Sequence, residues 1–183
     1  MVKRTARIVA PAEYILPASF NREIGRTIVS WAYFEHLLRH IAWDLLGVSD
    51  KIGRVAVRDP RIDDRLDMLL DVAYLKKISL DQKQIAKLKT KVAEVSRWRH
   101  LLAHGVWIPR NGNWLLQMTG GQYPKNFEAE HHKRRINPEG INVDIDGLRS
   151  VTSLIESLIE EASKIGGEIQ AQLQQSPGKD QAR

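Results

Sequence analysis

An arginine and two histidines fall within a short run of this sequence, Arg99-His100-Leu101-Leu102-Ala103-His104. A guanidinium can hold a phosphate through two parallel hydrogen bonds and offset the negative charge that grows in a transition state. An imidazole titrates near neutral pH and can exchange a proton with a reacting oxygen. Side chains of these types can bind a phosphate and move protons near neutral pH, which makes Arg99, His100 and His104 the residues from which a functional interpretation starts.

The spacing of Arg99 and His104 sets a condition on that chemistry. Five residues along an ideal α-helix correspond to about 500°, so the two side chains would point roughly 140° apart. They converge on one phosphate only if the last helical turn is distorted near Gly105, or if two subunits form the site together. A structural alternative is that His104 interacts with the last carbonyl groups of its helix, with Gly105 in a left-handed cap.

Glu35 and Arg99 are charged residues on otherwise apolar helical stripes. A lone charge in a protein core is costly, so buried charges are normally paired or face a cavity. We therefore expect Glu35 and Arg99 to meet across two helices or in a shared cleft. Both a structural ion pair that fixes helix register and a functional role remain open at this point.

Further basic residues are candidates for binding a polyanion. Arg97 stands two residues before Arg99, and a basic cluster occurs later in the chain at Lys133, Arg134 and Arg135. This cluster either contacts phosphates or forms a solvated loop.

For two pairs of ring-bearing residues we favour a structural role over ligand binding. Trp107 and Trp114 could stack on unpaired bases, but packing against the helices explains them equally well. His36 and His40 stand four residues apart, a spacing that can hold a metal ion. Because they fall on the polar side of their helix and no third ligand is evident, we expect exposed histidines and no metal site.

Apolar residues at three- and four-residue steps predict four amphipathic helices. The first begins at Ser19 or Asn21, either of which can cap it, and ends at Gly47. A connector, 48–58, leads to Asp59-Pro60, which predicts the start of the second helix. Ser79 caps the third helix, which ends near His104-Gly105. Asp144 or Asp146 opens the fourth.

Between the third and fourth helices the pattern changes to short strands. Segments 106–108 and 114–118 flank Asn111-Gly112, a strong signal for a two-residue hairpin turn. Pro109 cannot donate to a β-ladder, so its strand should lie at a sheet edge. Ile141-Asn142-Val143 could add a third strand.

The predicted fold is mainly α, a four-helix up-and-down bundle with a small β-hairpin or three-stranded β-meander inserted between helices 3 and 4. Residues 1–18 form a flexible basic arm. Residues 19–174 form a single helical domain with its β insertion at about 106–143, and 175–183 form a polar tail.

Composition narrows the class of protein. The 183 residues are 43% hydrophobic and 27% charged, as in water-soluble globular proteins. The sequence contains no long apolar run and is a poor match to a secretory signal, so we expect a cytoplasmic protein without a membrane span. The absence of cysteine excludes disulfides and thiolate metal sites. A net charge of +6 favours a polyanionic partner.

The segment from Arg99 to His104 resembles the R-x(4–6)-H motif of the HEPN superfamily, whose ribonuclease members often have a polar residue after the arginine. His100 occupies that position here, Gly105 follows at the helix end, and the predicted first helix contains Trp31 and Glu35. The resemblance covers roughly residues 20–174 and makes the expected bundle HEPN-like.

The resemblance implies a metal-independent endoribonuclease, of toxin or defence type, in which Arg99 and His104 are the catalytic pair and His100 assists. The RNA 2′-hydroxyl attacks phosphorus, so no cofactor is expected. Its expected partners are RNA, a second copy of the chain and an antitoxin protein. Glu35, Arg97 and the cluster Lys133, Arg134 and Arg135 are candidate binding residues. Non-catalytic members of the superfamily bind RNA, nucleotides or proteins, which is the alternative function; a purely structural helical adaptor is a third.

Overall fold

The computed structural model describes residues 15–56, 61–110, 113–117 and 140–175. This part of the chain is mainly helical and also contains a small antiparallel sheet. In chain order, the elements are α1 (Ala18–Leu46), α2 (Asp50–Ala56), α3 (Ile62–Leu75), α4 (Gln82–His104), β1 (Val106–Arg110), β2 (Asn113–Gln117), β3 (Ile141–Val143) and α5 (Ile145–Gln175).

The four predicted helices are present as α1, α3, α4 and α5, because each has an apolar stripe that becomes buried. Helical periodicity predicts two sets of stripe residues, and all of them are buried: in α4, Ile85, Leu88, Val92, Val95 and Leu102; in α5, Leu148, Val151, Ile155, Leu158, Ala162, Ile165 and Ile169. In α1, the predicted stripe residues Ile24 and Ile28 are only half-buried, whereas the neighbouring Glu23 and Thr27 are buried. Most of the buried apolar side chains of the helices and the sheet form one continuous core.

Helix α2 is an addition to the four predicted helices and lies in the predicted connector. With seven residues, it is too short to show an apolar stripe in sequence. It lies against α1 at Gly53, where an added Cβ would be 2.6 Å from ring atoms of Trp43. The absence of a side chain at Gly53 therefore lets the two helices approach closely.

The predicted helix caps were partly wrong. Pro17 precedes α1, and neither Ser19 nor Asn21 caps it; both lie inside the helix, and the Asn21 side chain donates to the Leu16 carbonyl. Asp81, rather than Ser79, caps α4, because its carboxylate accepts the backbone N–H groups of residues 83 and 84.

Other helix ends agree with the sequence. Gly47 ends α1 in the left-handed conformation, with φ of 72°. Asp144 accepts the Gly147 N–H at 2.7 Å at the start of α5. Helix α3 differs: it begins at Ile62 with Arg61, rather than Asp59, at its N-cap position, so the predicted start was wrong. The residues expected to start that helix, Asp59 and Pro60, lie outside the described part of the chain.

The sheet has the order β1-β2-β3, and both pairings are antiparallel. Strand β1 lies at an edge, as Pro109 predicted, and β3 is the predicted third strand. Arg110 pairs with Asn113, while the predicted turn residues Asn111 and Gly112 lie outside the described ranges. So do residues 1–14 of the predicted arm and 176–183 of the tail. In the described part of the chain, no helix is long and apolar enough to cross a bilayer.

Candidate functional site

A cleft of about 430 Å³ opens between α1, the start of α3 and the second half of α4. We call it the α1–α4 cleft. It brings together residues that are far apart in sequence, and most of them are polar or charged. The lining residues are Trp31, Glu35, Arg61, Ile62, Asp63, Ser96, Arg97, Arg99 and His100.

Glu35 and Arg99 both line the α1–α4 cleft and are half-buried. The expectation that they share a cleft is therefore confirmed. The alternative of a structural ion pair is wrong, because among the described residues no salt bridge within 4.0 Å joins them. The Nε atom of Arg99 is buried and has no hydrogen-bond partner. Two opposite charges thus line one cleft without forming a salt bridge with each other.

Arg65 fixes the backbone that carries Glu35. This arginine of α3 is only 4% exposed, and its Nη1 donates to the Glu35 carbonyl oxygen at 3.0 Å. A buried charge of this kind is tolerated only when hydrogen bonds satisfy it. The contact ties α3 to the middle of α1, so the wall of the cleft that holds Glu35 is anchored by a buried bond.

The charges that line the cleft are mostly positive. Arg61, Arg97 and Arg99 contribute three guanidiniums, against the carboxylates of Glu35 and Asp63. In the described part of the chain, no salt bridge involves any of these five side chains. Arg97, predicted as a binding residue, is therefore in the same cleft as the candidate catalytic arginine. An anion placed among the three arginines would have several charge-assisted donors within one concave surface.

His100 and His104 lie side by side on the last turn of α4, with ring centroids 4.8 Å apart. Both are exposed, but only His100 lines the cleft. The helix continues without distortion through His104, and the Gly105 N–H donates to the Leu101 carbonyl at 2.7 Å. Arg99 and His104 therefore do not converge within one chain, and His100 stands between them.

The left-handed cap suggested for Gly105 is wrong. Its φ and ψ are −76° and 153°, an extended conformation. The glycine is required for space instead, because an added Cβ would lie 2.5 Å from both the Leu101 carbonyl oxygen and a methyl carbon of Leu116. This close approach sets β2 against the end of α4 that carries the two histidines.

Two further predictions concern the basic cluster and the two tryptophans. Lys133, Arg134 and Arg135 lie outside the described ranges. Trp107 and Trp114 both contact Phe20 of α1, with centroid distances of 6.0 and 6.3 Å. These contacts agree with the interpretation that the two tryptophans pack the sheet on the helices.

His36 and His40 belong to a separate group near α2. Their ring centroids are 4.2 Å apart, and His40 Nδ1 lies 3.7 Å from Asp50 Oδ1. His36 is exposed as expected, but His40 is half-buried against Trp43. Partial burial, and then the nearby His40, Arg39 and Arg54, hold the pKa of His36 below its ordinary value of 6.5; Asp50 opposes them. Within the described ranges, no three potential ligands are arranged to hold a metal ion.

Three residues that line the cleft, Arg61, Asp63 and Ser96, were not predicted from the sequence, and neither was the burial of Arg65. The signal for Arg65 was present, since it stands three residues after Ile62 and four before Leu69, on the apolar side of α3. Arg61, Asp63 and Ser96 had no such signal. Their role depends on where α3 docks against α1 and α4.

Comparison of the chain with protein-family models, with curated proteins and with solved structures finds no match in any of the three. The chemistry of the α1–α4 cleft therefore has to be inferred from its own residues. Guanidiniums and an imidazole on one concave surface can bind a phosphate and move protons at its oxygens.

Proposed function

We propose that this protein is a metal-independent endoribonuclease of the HEPN type, with the α1–α4 cleft as its active site. The observation that carries the proposal is that Arg99 and His100 line one cleft, in which no described carboxylate forms a salt bridge with Arg99 and its Nε has no hydrogen-bond partner. The guanidinium is therefore free to pair with a phosphate of the substrate. The +6 net charge would draw RNA towards the protein.

In the proposed reaction, Arg99 holds the scissile phosphate, and Arg97 and Arg61 add positive charge around it. The RNA 2′-oxygen attacks phosphorus while a base takes its proton. The bond from phosphorus to the 5′-oxygen breaks, and that oxygen receives a proton from an acid. The products are a 2′,3′-cyclic phosphate and a free 5′-hydroxyl. Imidazoles suit both proton transfers, and the nucleophile comes from the substrate.

His104 takes part in this scheme in one of two ways. Within a subunit, it acts through His100, whose ring it contacts. In a homodimer, which we also propose, His104 of one subunit would approach the phosphate held by the other. The exposure of both rings at the end of α4 is compatible with a composite site.

The HEPN-like architecture is part of the same proposal. Helices α1, α3, α4 and α5 would be the four helices of the up-and-down bundle, with α2 as an addition to the first connection. The three-stranded sheet is inserted between α4 and α5, the position that the sequence predicted. A cytoplasmic toxin or defence role, with a protein antitoxin as a further partner, completes the proposal.

A non-catalytic module that binds RNA, a nucleotide or a protein is the second candidate. It is favoured by one observation, that His104 does not line the cleft of its own chain. Binding needs only the arginines, whereas cleavage also needs correctly placed proton donors and acceptors.

Cleavage of a mixed-sequence RNA in EDTA separates the two candidates. The wild type should cleave, and Arg99→Ala and His104→Ala should lower the rate by at least about a hundredfold. Arg149→Ala, which removes an exposed arginine of α5, is the matched control and should cleave normally. Circular dichroism checks that each variant folds. RNA binding by the wild type without cleavage would favour the module.

A further inference from the structure

The α1–α4 cleft carries opposite charges that the described part of the protein leaves unpaired. Three arginines and His100 provide hydrogen-bond donors, while Glu35 and Asp63 provide acceptors. Glu35 is half-buried, and its backbone is held by Arg65. A ligand that fits such a surface should present an anionic group to the arginines and hydrogen-bond donors to a carboxylate.

We infer that the cleft selects an unpaired guanine nucleotide of RNA and that Glu35 is the residue that determines this specificity. This inference rests on the proposed function. The phosphate would lie among the arginines, and the base would present its edge to the Glu35 carboxylate. Asp63 is exposed at the first turn of α3, where water competes for it, so its contribution should be smaller.

Guanine is the base that best satisfies a carboxylate. Its Watson–Crick edge places the N1–H and the N2 amino group side by side, so two parallel hydrogen bonds can form, as between an arginine and a carboxylate. Adenine and cytosine present one amino donor beside a ring nitrogen acceptor. Uracil presents one N–H between two carbonyl oxygens, which a carboxylate repels. Glu35 should therefore favour guanine over the other three bases.

The dimensions of the cleft point to a single unpaired nucleotide. Its volume of about 430 Å³ falls within the ~300–1,000 Å³ typical of small-molecule pockets. A duplex would also have its Watson–Crick edges occupied, whereas loops and single strands leave them free for protein side chains.

Binding of nucleoside 3′-monophosphates, measured by titration calorimetry, tests this inference without requiring cleavage. Inosine lacks the N2 amino group of guanosine and keeps N1–H, so the pair isolates one hydrogen bond to the carboxylate. We expect guanosine monophosphate to bind roughly tenfold more tightly than inosine monophosphate, the factor for one hydrogen bond to a charged group. Glu35→Gln should remove this preference. Glu160→Gln, which changes an exposed carboxylate of α5, should keep it, and Asp63→Asn should reduce it only slightly.

A parallel assay uses DNA oligonucleotides that contain one ribonucleotide, so that cleavage reports one base. Equal affinity for the two nucleotides, no nucleotide binding, or a preference that survives Glu35→Gln would overturn the inference. Selective binding of guanosine monophosphate without cleavage would support it and contradict the nuclease. Cleavage at all four ribonucleotides with equal rates would leave the nuclease standing and overturn the specificity.

Discussion

The ring of His104 lies beside the ring of His100, with centroids 4.8 Å apart, and only His100 reaches the α1–α4 cleft. The four-residue spacing explains the contact, because residues i and i+4 lie on one face of a helix. Arg99 and His104, five residues apart, do not share a face. Within one chain, His104 can therefore act on a bound phosphate only through His100.

This relationship predicts how the two histidines depend on each other. His100→Ala should lower kcat/KM for RNA by about 10²–10⁴, the usual contribution of general acid–base catalysis. If His104 acts through His100, the double variant should lose no more activity than His100→Ala alone. Steady-state kinetics on the two single variants and the double variant measure this. Losses that multiply would show independent roles, as expected if His104 completes the site of a second subunit.

The unpaired arrangement of Glu35 and Arg99 predicts a small effect of Arg99→Ala on stability. Removing one partner of a buried ion pair costs about 3–5 kcal/mol, which is the result expected of a purely structural adaptor. Because no such pair forms here, Arg99→Ala should lower the free energy of unfolding by about 1 kcal/mol or less, mainly through lost packing of its aliphatic stem. Urea unfolding followed by circular dichroism measures the change. A loss of several kcal/mol would indicate a buried partner for this guanidinium.

Arg65 should behave in the opposite way. It is buried and donates to the Glu35 carbonyl at 3.0 Å, so Arg65→Ala leaves that carbonyl without its donor and opens a cavity. We expect a loss of about 3 kcal/mol in the free energy of unfolding. Arg65→Met keeps most of the volume and separates the two contributions.

The matched control for Arg65 is Arg61→Ala, since Arg61 is exposed at the start of the same helix. Its stability should change by no more than about 0.5 kcal/mol. Similar effects at both positions in urea unfolding would mean that burial of Arg65 does not matter to the fold.

Helical periodicity predicted most of the fold, because amphipathic stripes are set by local sequence. The seven stripe residues predicted for α5 are buried, as are those for α4 that end at Leu102. Helix α2 could not be predicted in this way, because two turns are too few to define a stripe and its position depends on Gly53 meeting the Trp43 ring. The contact between α2 and α1 is a tertiary contact, which periodicity within one helix does not predict.

The candidate site was predicted only as far as single helices allow. Helical periodicity placed Glu35 and Arg99 on the apolar faces of their helices, which suggested a shared cleft. The five-residue spacing showed that His104 would point away from Arg99. Arg61 and Asp63 line the cleft because α3 packs beside α1. The sequence pattern of α3 alone does not predict that packing. The prediction of a left-handed cap at Gly105 was wrong for a similar reason. The position of Leu116 of β2, which lies beside Gly105, depends on tertiary packing.

The lowered pKa of His36 predicts a pH dependence of stability. Its folded-state pKa lies below 6.5 because slight desolvation of this exposed ring, and then its positive neighbours, disfavour the imidazolium. As the pH falls through 6.5, the unfolded chain binds a proton at this position before the folded chain does, so the free energy of unfolding decreases. His36→Gln removes that contribution, so the variant should lose less stability than the wild type between pH 7.5 and pH 5.5 (values set around the ordinary pKa of about 6.5). Urea unfolding across this range measures the difference, and parallel curves would contradict it.

A buried pair of hydroxyls joins α1 to α5 and predicts a coupling energy. The Thr27 and Thr152 hydroxyls are 2.8 Å apart, and each also reaches a carbonyl of its own helix, that of Glu23 or Leu148. Each hydroxyl has one proton, so two protons serve three contacts, and either threonine alone can still satisfy its own carbonyl. Thr27→Val and Thr152→Val should each cost about 1 kcal/mol, and the double variant should cost less than their sum by about 0.5–1 kcal/mol.

The control for this cycle combines Thr27→Val with Thr90→Val. Thr90 is exposed on α4 and donates only to the Ala86 carbonyl of its own helix, so these two effects should add within about 0.5 kcal/mol. Urea unfolding of the six proteins gives both coupling energies. Additive effects at positions 27 and 152 would mean that the two hydroxyls do not bond in solution. The α1–α5 interface, which helps to hold α1 and thus Glu35 in place, would then depend on its apolar contacts and on the exposed Arg26–Glu156 ion pair.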